Sequence, residues 1–293
     1  MKMNYISMIQ SNLKQYVSLH ASKATTNIMD GSYKSIYKGR SMNFDELREY
    51  NLGDEIKDMD WKASSRCRKL LVRQYIAEKK HNVLFVMDTS KRMFADSPCG
   101  KEKRELALVT AGSLAYIVSE NGDYIGAVQN INGTTKYYPF KTGLLNLEAI
   151  LDSYYNGVTI DNESNLATSL DYIIYNISKR MIVVIVTDME GINLIPETTL
   201  KRLRSIHDVL LINIKDTDTF GKSVFDVSGG VYLSEFFTAD KRLKKKEEKR
   251  RKQIEESALL KLSRVGIAAT SVGKPEDLDL SIIELLEKHR LGR

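Results

Sequence analysis

NVLFVMD, residues 82–88, is a run of apolar side chains that ends in a carboxylate, and MIVVIVTD, residues 181–188, has the same form. Both runs have the length of a strand and are apolar throughout, which is typical of strands buried on both faces of a parallel sheet. Segments with helical periodicity lie between these two runs, and also between the second run and the later predicted strands. This alternation predicts an α/β fold with a doubly wound, mostly parallel sheet.

Working outward from these two strands, the pattern predicts the rest of the unit. Strands are predicted at 124–129 and 135–138, joined at Asn132-Gly133 in a hairpin, and at 209–214, within 225–237 and at 265–272. Helices are predicted at 101–120, 143–155, 165–178, 197–206, 239–264 and 278–290. Before residue 80 the pattern predicts an amphipathic helix in 1–20, short helical segments at 45–50 and 60–66, and a strand at 70–77.

The composition narrows the class of protein. The chain has 293 residues, of which 42% are hydrophobic and 28% charged, so a disordered chain is excluded. Two cysteines exclude a disulfide framework, and four scattered histidines form no zinc-binding pair. The net charge of +6 permits an acidic partner without requiring nucleic acid. No apolar run has the length of a membrane helix and the N-terminus lacks a signal-peptide pattern, so we expect a cytoplasmic protein.

The length allows one large α/β domain or two smaller ones. The change of pattern near residue 80 predicts a boundary there. Residues 1–79 then form a small N-terminal extension, and residues 80–293 form the α/β domain. The extension is short and basic, and we expect it to pack against that domain.

Asp88 and Asp188 each follow an apolar strand, and they are the best candidates for a site. Ligands of open α/β sheets bind beyond the carboxyl ends of strands, where the strand order reverses. If the two strands flank that point, the carboxylates and the hydroxyl of Ser90 form an all-oxygen site that suits Mg²⁺ or Mn²⁺. The alternative interpretation is that each aspartate only caps the loop or helix that follows it.

Other familiar sites are excluded by their spacing. The tripeptide Gly221-Lys222-Ser223 resembles the end of a phosphate-binding loop, but Asp216 stands where its first glycine belongs. No Ser/His/Asp or Cys/His set is indicated by spacing.

Three segments of the chain resemble a von Willebrand factor A-like domain. They are Asp88-x-Ser90, the segment from Ser164 to Leu170, and Val186-Thr187-Asp188. Upstream, the segments FDELREY (44–50), GD (53–54), DWKASSR (60–66) and LVR (71–73) closely resemble the signature of the domain of unknown function 58 family. In that family this signature, here within residues 44–73, stands just before a von Willebrand factor A-like domain. The resemblance covers about residues 39–270.

The resemblance implies a metal-ion-dependent adhesion site made of Asp88, Ser90, Ser164 and Asp188. The site of such domains reads Asp-x-Ser-x-Ser, and Arg92 replaces the last serine. Arg92 either takes the place of the metal by bridging Asp88 and Asp188, or points to solvent while water completes the coordination. Whether the site holds Mg²⁺ or Mn²⁺ or no metal stays open at this point. The residue of the later loop that faces the site is Ser164, with Asn165 or Thr168 as an alternative.

The resemblance also implies partners. Family members are generally bacterial or archaeal, and are associated with AAA+ ATPases of the MoxR type that remodel or activate client proteins. The residues that we consider for partner contact are Arg92, Arg48, Asp54 and Arg66. For the signature itself we favour a structural interpretation, in which Trp61, Tyr50 and Leu47 pack in a core or between domains. In this interpretation Arg48, Asp54, Asp60 and Arg66 form an ion-pair network.

The segment KRLKKKEEKRRK (241–252) is strongly basic and helical in pattern. We interpret it as a solvated helix face, with an acidic protein surface as an alternative partner. The function that we expect is a non-enzymatic interaction module working with a MoxR-type ATPase and a client protein. The alternatives are a metal-dependent hydrolase or phosphoryl-transfer enzyme using Asp88 and Asp188, and a nucleic-acid-binding accessory protein.

Overall fold

The computed structural model describes residues 4–11, 33, 46–51, 56, 59–74, 80–162, 165–217, 224–226, 230–233 and 241–291. The strands are β1 Glu46–Glu49, β2 Leu71–Gln74, β3 Asn82–Met87, β4 Tyr124–Ile131, β5 Thr134–Lys141, β6 Ile182–Thr187, β7 Asp208–Ile214, β8 Val224–Asp226, β9 Val231–Leu233 and β10 Ala268–Val272. The helices are α1 (residues 5–11), α2 Trp61–Cys67, α3 Lys103–Glu120, α4 Leu144–Gly157, α5 Leu166–Asn176, α6 Met189–Leu194, α7 Glu197–Ile206, α8 Lys241–Val265 and α9 Leu278–Leu291. Short 3₁₀ turns occur at Lys91–Phe94 and Pro275–Asp277.

A six-stranded sheet in the order β10-β7-β6-β3-β4-β5 forms the centre of the molecule. All neighbours are parallel except β5, which runs antiparallel to β4. The two join at Asn132 and Gly133, both with positive φ, as a two-residue hairpin requires. The chain proceeds from β3 to β4 and β5 on one side and returns to β6 on the other. The order therefore reverses between β3 and β6, and the predicted α/β class with a mostly parallel sheet is confirmed.

Helices cover both faces of this sheet, because its central strands are apolar on both sides. One core cluster joins the sheet to α3, α4 and α9, and the other joins it to α5, α6, α7 and α8. All six residues of β6 are buried. The continuous apolar runs at 82–88 and 181–188 are thus explained by burial between two helical layers.

The first residues of the chain also contribute to this core. Ile9 of α1 is completely buried and Tyr5 is 3% exposed. The backbone N–H groups of Tyr5 and Ile6 donate to the two carboxylate oxygens of Glu148 on α4, each at 2.9 Å. A carboxylate at a helix N-terminus satisfies N–H groups that lack a partner within the helix. The helix α1 therefore packs against the α/β unit, as expected for the N-terminal extension, whereas the expected boundary near residue 80 stays a prediction.

Three predicted elements differ in the structure. Residues 46–49, predicted as helical, form β1, which pairs antiparallel with β2, because strand pairing overrides the helix propensity of Glu, Leu and Arg. The single strand predicted within 225–237 is a short antiparallel hairpin of β8 and β9. The last strand begins at Ala268 rather than Val265, which still belongs to α8. The helix α6 was not predicted.

Within the described ranges, no helix is both long enough and apolar enough to cross a bilayer.

Candidate functional site

Asp88 and Asp188 lie side by side at the carboxyl ends of β3 and β6, where the strand order reverses. The two strands are parallel neighbours, with Met87 opposite Val186, so their last residues reach the same edge. Asp88 is completely buried and Asp188 is 1% exposed. The expectation that the sheet brings these carboxylates together is confirmed. Two buried carboxylates need compensation, since an unpaired buried charge is strongly unfavourable.

Arg92 supplies part of that compensation. It lies four residues after Asp88, in the 3₁₀ turn Lys91–Phe94, and its Nη2 donates to Asp88 Oδ2 at 2.8 Å. Its Nε lies 3.5 Å from Asp188 Oδ1. The guanidinium thus bridges both carboxylates, and its side chain is 20% exposed. Among the described residues, Arg92 Nε makes no hydrogen bond.

Lys103, at the start of α3, supplies the second positive charge. Its Nζ donates to Asp188 Oδ2 at 2.7 Å and to Asp216 Oδ1 at 2.5 Å. Lys103 is 2% exposed, whereas Asp216 lies after β7 with a side chain that is 40% exposed. A lysine at a helix N-terminus opposes the helix dipole, so this position depends on the two carboxylates. The result is a buried ion-pair cluster of Asp88, Arg92, Asp188, Lys103 and Asp216.

The pKa values follow from this balance of burial and charge. Burial alone would raise the pKa of Asp188, but Lys103 and Arg92 lower it to about 2. Burial would lower the pKa of Arg92 and of Lys103, but the neighbouring aspartates raise both above their usual values. Burial, with the charges of Asp88 and Asp188, raises the pKa of Tyr154 well above its usual value. Asp188, Arg92 and Lys103 therefore stay ionised at neutral pH.

Two backbone N–H groups and one side-chain hydroxyl fix the two carboxylates in place. Asp88 Oδ1 accepts the N–H of Ser90 at 2.9 Å, and Asp88 Oδ2 accepts the hydroxyl of Thr187 at 2.7 Å. Asp188 caps α6 by accepting the N–H of Gly191 at 2.7 Å. A Cβ at Gly191 would lie 2.0 Å from Thr187 Oγ1 and 3.0 Å from Asp88 Oδ2. Only glycine permits this close approach. The alternative interpretation of Asp188 as a helix cap is therefore also correct.

Asn162 ties the loop after α4 to the loop after β3. Its Nδ2 donates to the carbonyl oxygens of Thr89 at 2.9 Å and Gly157 at 3.0 Å. The backbone carbonyl oxygen of Asn162 accepts a hydrogen bond from the N–H of Lys91 at 3.1 Å. A completely buried amide with several hydrogen bonds holds both loops rigidly. The 3₁₀ turn that carries Arg92 is thereby fixed against the body of the protein.

The remaining predicted ligands lie in different settings. Ser90 is 2% exposed, and its Oγ has no hydrogen-bond partner among the described residues. Ser164 lies outside the described residues. Asn165 caps α5 by accepting the N–H of Ala167, and Thr168 is exposed. Among the described residues, neither Asn165 nor Thr168 is hydrogen-bonded to Asp88 or Asp188.

This arrangement of donors does not fit a divalent cation. Every oxygen of Asp88 and Asp188 already accepts a hydrogen bond. Two of the donors, Arg92 and Lys103, are themselves positively charged. A metal ion between the aspartates would have to displace the guanidinium of Arg92. Among the described residues, no group of three or more His, Cys, Asp or Glu side chains is arranged to hold a metal ion.

The residues of the N-terminal signature have no structural link to this cluster among the described contacts. Asp60 caps α2 by accepting the N–H of Ala63 at 2.9 Å, and Arg66 is exposed in the last turn of that helix. Arg48 lies in β1, opposite Val72, and Asp54 lies outside the described residues. The expected packing of Trp61 and Leu47 in a core is wrong, since they are 62% and 40% exposed. Tyr50 is half-buried.

Several residues of the site were not predicted: Lys103, Thr187, Gly191, Asn162 and Asp216 as a partner of Lys103. Asn162 precedes the predicted Ser164 and belongs to the same loop, so a signal was present there. Lys103 opens a helix in a charged segment, where a lysine normally faces solvent. Its pairing with residues far along the chain leaves no local trace in the sequence.

The basic helix α8 lies against the loops that carry the cluster. Arg250 pairs with Glu190 at 3.3 Å, two residues after Asp188. Arg251 Nη1 donates to the carbonyl of Thr217 at 2.5 Å, directly after Asp216. Asn193 Nδ2 donates to the carbonyl of Ile254 at 2.8 Å. The predicted solvated helix therefore has one face fixed beside the site.

Fold and site together define a class: an α/β protein whose mostly parallel sheet carries a buried ion-pair cluster at the point where the strand order reverses. Within that class, the chain belongs to the family described as protein of unknown function DUF58, whose model matches residues 46–259. The resemblance of the N-terminal signature to this family is thereby confirmed.

The chain is similar to uncharacterized mycobacterial proteins. It is 28% identical over 198 residues to the uncharacterized protein Rv1480 of Mycobacterium tuberculosis and to the uncharacterized protein Mb1516 of Mycobacterium bovis. Each match covers 64% of this chain and 60% of the relative. The chain thus spans less than two thirds of the length of these relatives.

Proposed function

We propose that this protein is a non-enzymatic protein-interaction module with a von Willebrand factor A-like fold, in which Arg92 takes the place of the metal ion of an adhesion site. It works with an AAA+ ATPase of the MoxR type and presents or recognises a client protein. The observation that carries the proposal is the position of the Arg92 guanidinium, which bridges Asp88 and Asp188 at the carboxyl edge of the sheet. The ATPase partner rests on the family resemblance.

The chemistry of arginine supports this role. A guanidinium has five N–H donors in a fixed plane and pairs with carboxylates through two of them. Arg92 uses Nη2 on Asp88, whereas its Nη1 makes no hydrogen bond among the described residues and belongs to a side chain that is 20% exposed. A metal in an adhesion site offers an open position to an acidic side chain of a partner. Arg92 offers free donors to the same kind of group.

The partnership is tested by affinity purification from the source cells, in Mg²⁺ and a slowly hydrolysed ATP analogue, followed by mass spectrometry. We expect the unmodified protein to recover an AAA+ ATPase and Arg92→Ala to lose it. Arg202→Ala is the control, because Arg202 is an exposed arginine on α7 that contacts Tyr175. Thermal unfolding of each variant shows whether it is folded. Recovery of no ATPase, or equal recovery with Arg92→Ala, refutes the proposal.

The replacement of the metal is tested separately by calorimetric titration with Mg²⁺ and Mn²⁺. We expect the unmodified protein to show no Asp88-dependent binding of Mg²⁺ or Mn²⁺, because the guanidinium of Arg92 already pairs with both carboxylates. Arg92→Ser restores the Asp-x-Ser-x-Ser pattern and removes one positive charge, so we expect it to gain metal binding. Metal binding by the unmodified protein that is abolished in Asp88→Ala contradicts the replacement.

A further inference from the structure

The first half of α8 concentrates the positive charge of this protein. Residues 241–252 contain nine basic and two acidic side chains, a formal charge of +7, whereas the whole chain carries +6. The rest of the chain is therefore close to neutral. A charge that is confined to three turns of one helix creates a local positive field rather than a generally basic protein.

Four of these basic residues lie on one face of the helix. Arg242, Lys245, Lys249 and Lys252 follow each other at spacings of three, four and three, which places them in a row. All four are exposed. We call this row the basic stripe, and at 1.5 Å per residue it is about 15 Å long. Among the described residues, Lys245 and Lys249 form no ion pair.

The opposite face of α8 fixes the basic stripe in place. Arg251 contacts the loop after β7 through the carbonyl of Thr217, and Ile254 contacts the helix α6 through the side chain of Asn193. Ala258 and Leu262, further along the same face, are buried in the core. The stripe therefore has a defined position beside the loops of Asp188 and Asp216. A preorganised surface loses little conformational entropy when it binds.

We propose that the basic stripe is a docking surface for an acidic segment of a partner protein, with carboxylates at helical spacing. This rests on the proposed function, and it adds a second contact to the one at Arg92. Lysines at spacings of three and four match Glu or Asp side chains at the same spacings on a facing helix. Such charge complementarity accelerates association and selects the partner.

The charge distribution favours an acidic protein segment over nucleic acid. A duplex extends well beyond 15 Å, and its phosphates would meet the nearly neutral remainder of the chain on both sides of the stripe. Glu247, Glu248 and Glu256 on the same helix would repel those phosphates. A short acidic segment, by contrast, is neutralised by the stripe alone.

The proposal is tested by fluorescence anisotropy on the full chain at 150 mM salt, with two labelled probes. One probe is a 20-residue poly-glutamate peptide and the other is a 20-base-pair DNA duplex. We expect the double substitution Lys245→Glu, Lys249→Glu to weaken peptide binding at least tenfold. The control is Lys141→Glu, Lys179→Glu, which makes the same change of charge. Both control residues are exposed near the amino ends of β4 and β6, at the opposite edge of the sheet.

In the anisotropy experiment, three results overturn the proposal: no binding of the peptide, an equal loss in the control variant, or tighter binding of the duplex than of the peptide. ATPase capture separates this proposal from the one on which it rests. If the double substitution at the stripe retains the ATPase and Arg92→Ala loses it, the docking surface is refuted and the proposed function stands. If the unmodified protein captures no ATPase, the proposed function itself fails.

Discussion

Asp188 is a carboxylate from which water is excluded, and its charge is held by three neighbours. Lys103 and Gly191 donate to its two oxygens at 2.7 Å, and the guanidinium of Arg92 lies 3.5 Å from one of them. Removing one member of a buried ion pair leaves the other charge without compensation, which costs about 3–5 kcal/mol. The stability of the site therefore depends on all its charges being present together.

Asp188→Asn tests this at the residue scale. We expect it to lower the free energy of unfolding at pH 7 by about 3–5 kcal/mol, because Arg92 and Lys103 lose a buried counter-charge. The pKa of Asp188 is about 2 in the folded state and close to 3.8 when unfolded. Its ionisation therefore stabilises the fold above about pH 4, and that contribution disappears as the pH falls toward 2.

The measurement is urea denaturation from pH 2 to pH 7. The difference between the unmodified protein and Asp188→Asn should shrink as the pH falls. Asp277→Asn, at an exposed aspartate, should show little difference at any pH. An Asp188→Asn variant that is as stable as the unmodified protein at pH 7 would contradict the role of the cluster.

At the scale of the element, α6 is a helix of six residues that depends on its two ends. Isolated helices of this length are unstable in water. Asp188 caps its first turn, and Lys261 of α8 binds its last carbonyls. Lys261 Nζ donates to the carbonyl oxygens of Ile192, Asn193 and Ile195 at 2.8–3.2 Å. Burial lowers the pKa of Lys261, although Glu197 opposes this effect.

We expect Lys261→Met to lower the free energy of unfolding by about 1–2 kcal/mol, since three carbonyls at a helix C-terminus lose a positive donor. Hydrogen exchange of the backbone amides of residues 191–195 should become faster. Lys252→Met is the control, because Lys252 is exposed on the same helix and has only a 3.9 Å ion pair. Unchanged exchange in Lys261→Met would show that packing alone holds α6.

The elements that could be predicted from sequence are those whose pattern is local. The strands at 82–88 and 181–188 were predicted because burial between helices requires an unbroken apolar run. The helix α6 was missed because six residues contain too few turns to show periodicity. The strand β1 was missed because its residues favour a helix, and only pairing with β2 makes them extended.

The same distinction applies to the site. Asp88 and Asp188 could be predicted because the ends of apolar strands mark them, and Arg92 because the family resemblance implies a serine at its position. Lys103 could not, since its partners Asp188 and Asp216 are 85 and 113 residues away in the chain. The exposure of Trp61 could not be predicted, because a tryptophan is usually buried and its actual surroundings depend on tertiary structure.

At the scale of the whole molecule, the core of the α/β unit includes the helix α1, which is more than 70 residues upstream of β3. Ile9 belongs to the same core cluster as the helices α3 and α4. We expect Ile9→Ala to lower the free energy of unfolding by about 2–4 kcal/mol, as for a buried aliphatic residue. Ser7→Ala on the same helix is the control, because Ser7 is exposed. Urea denaturation measures both. A loss below about 1 kcal/mol for Ile9→Ala would show that α1 is not part of the cooperative unit.

The positive charges of the cluster belong to side chains of the protein itself, Arg92 and Lys103, and not to a bound ion. A site that depends on a bound ion loses its charge when a chelator removes that ion, and it responds to the supply of the ion in the cell. The charges of Arg92 and Lys103 cannot be removed in this way, and no proton is released from either at physiological pH. On the proposed function, the contact that Arg92 makes needs no divalent ion of its own. EDTA then weakens capture of the ATPase only by removing Mg²⁺ from the nucleotide of the ATPase.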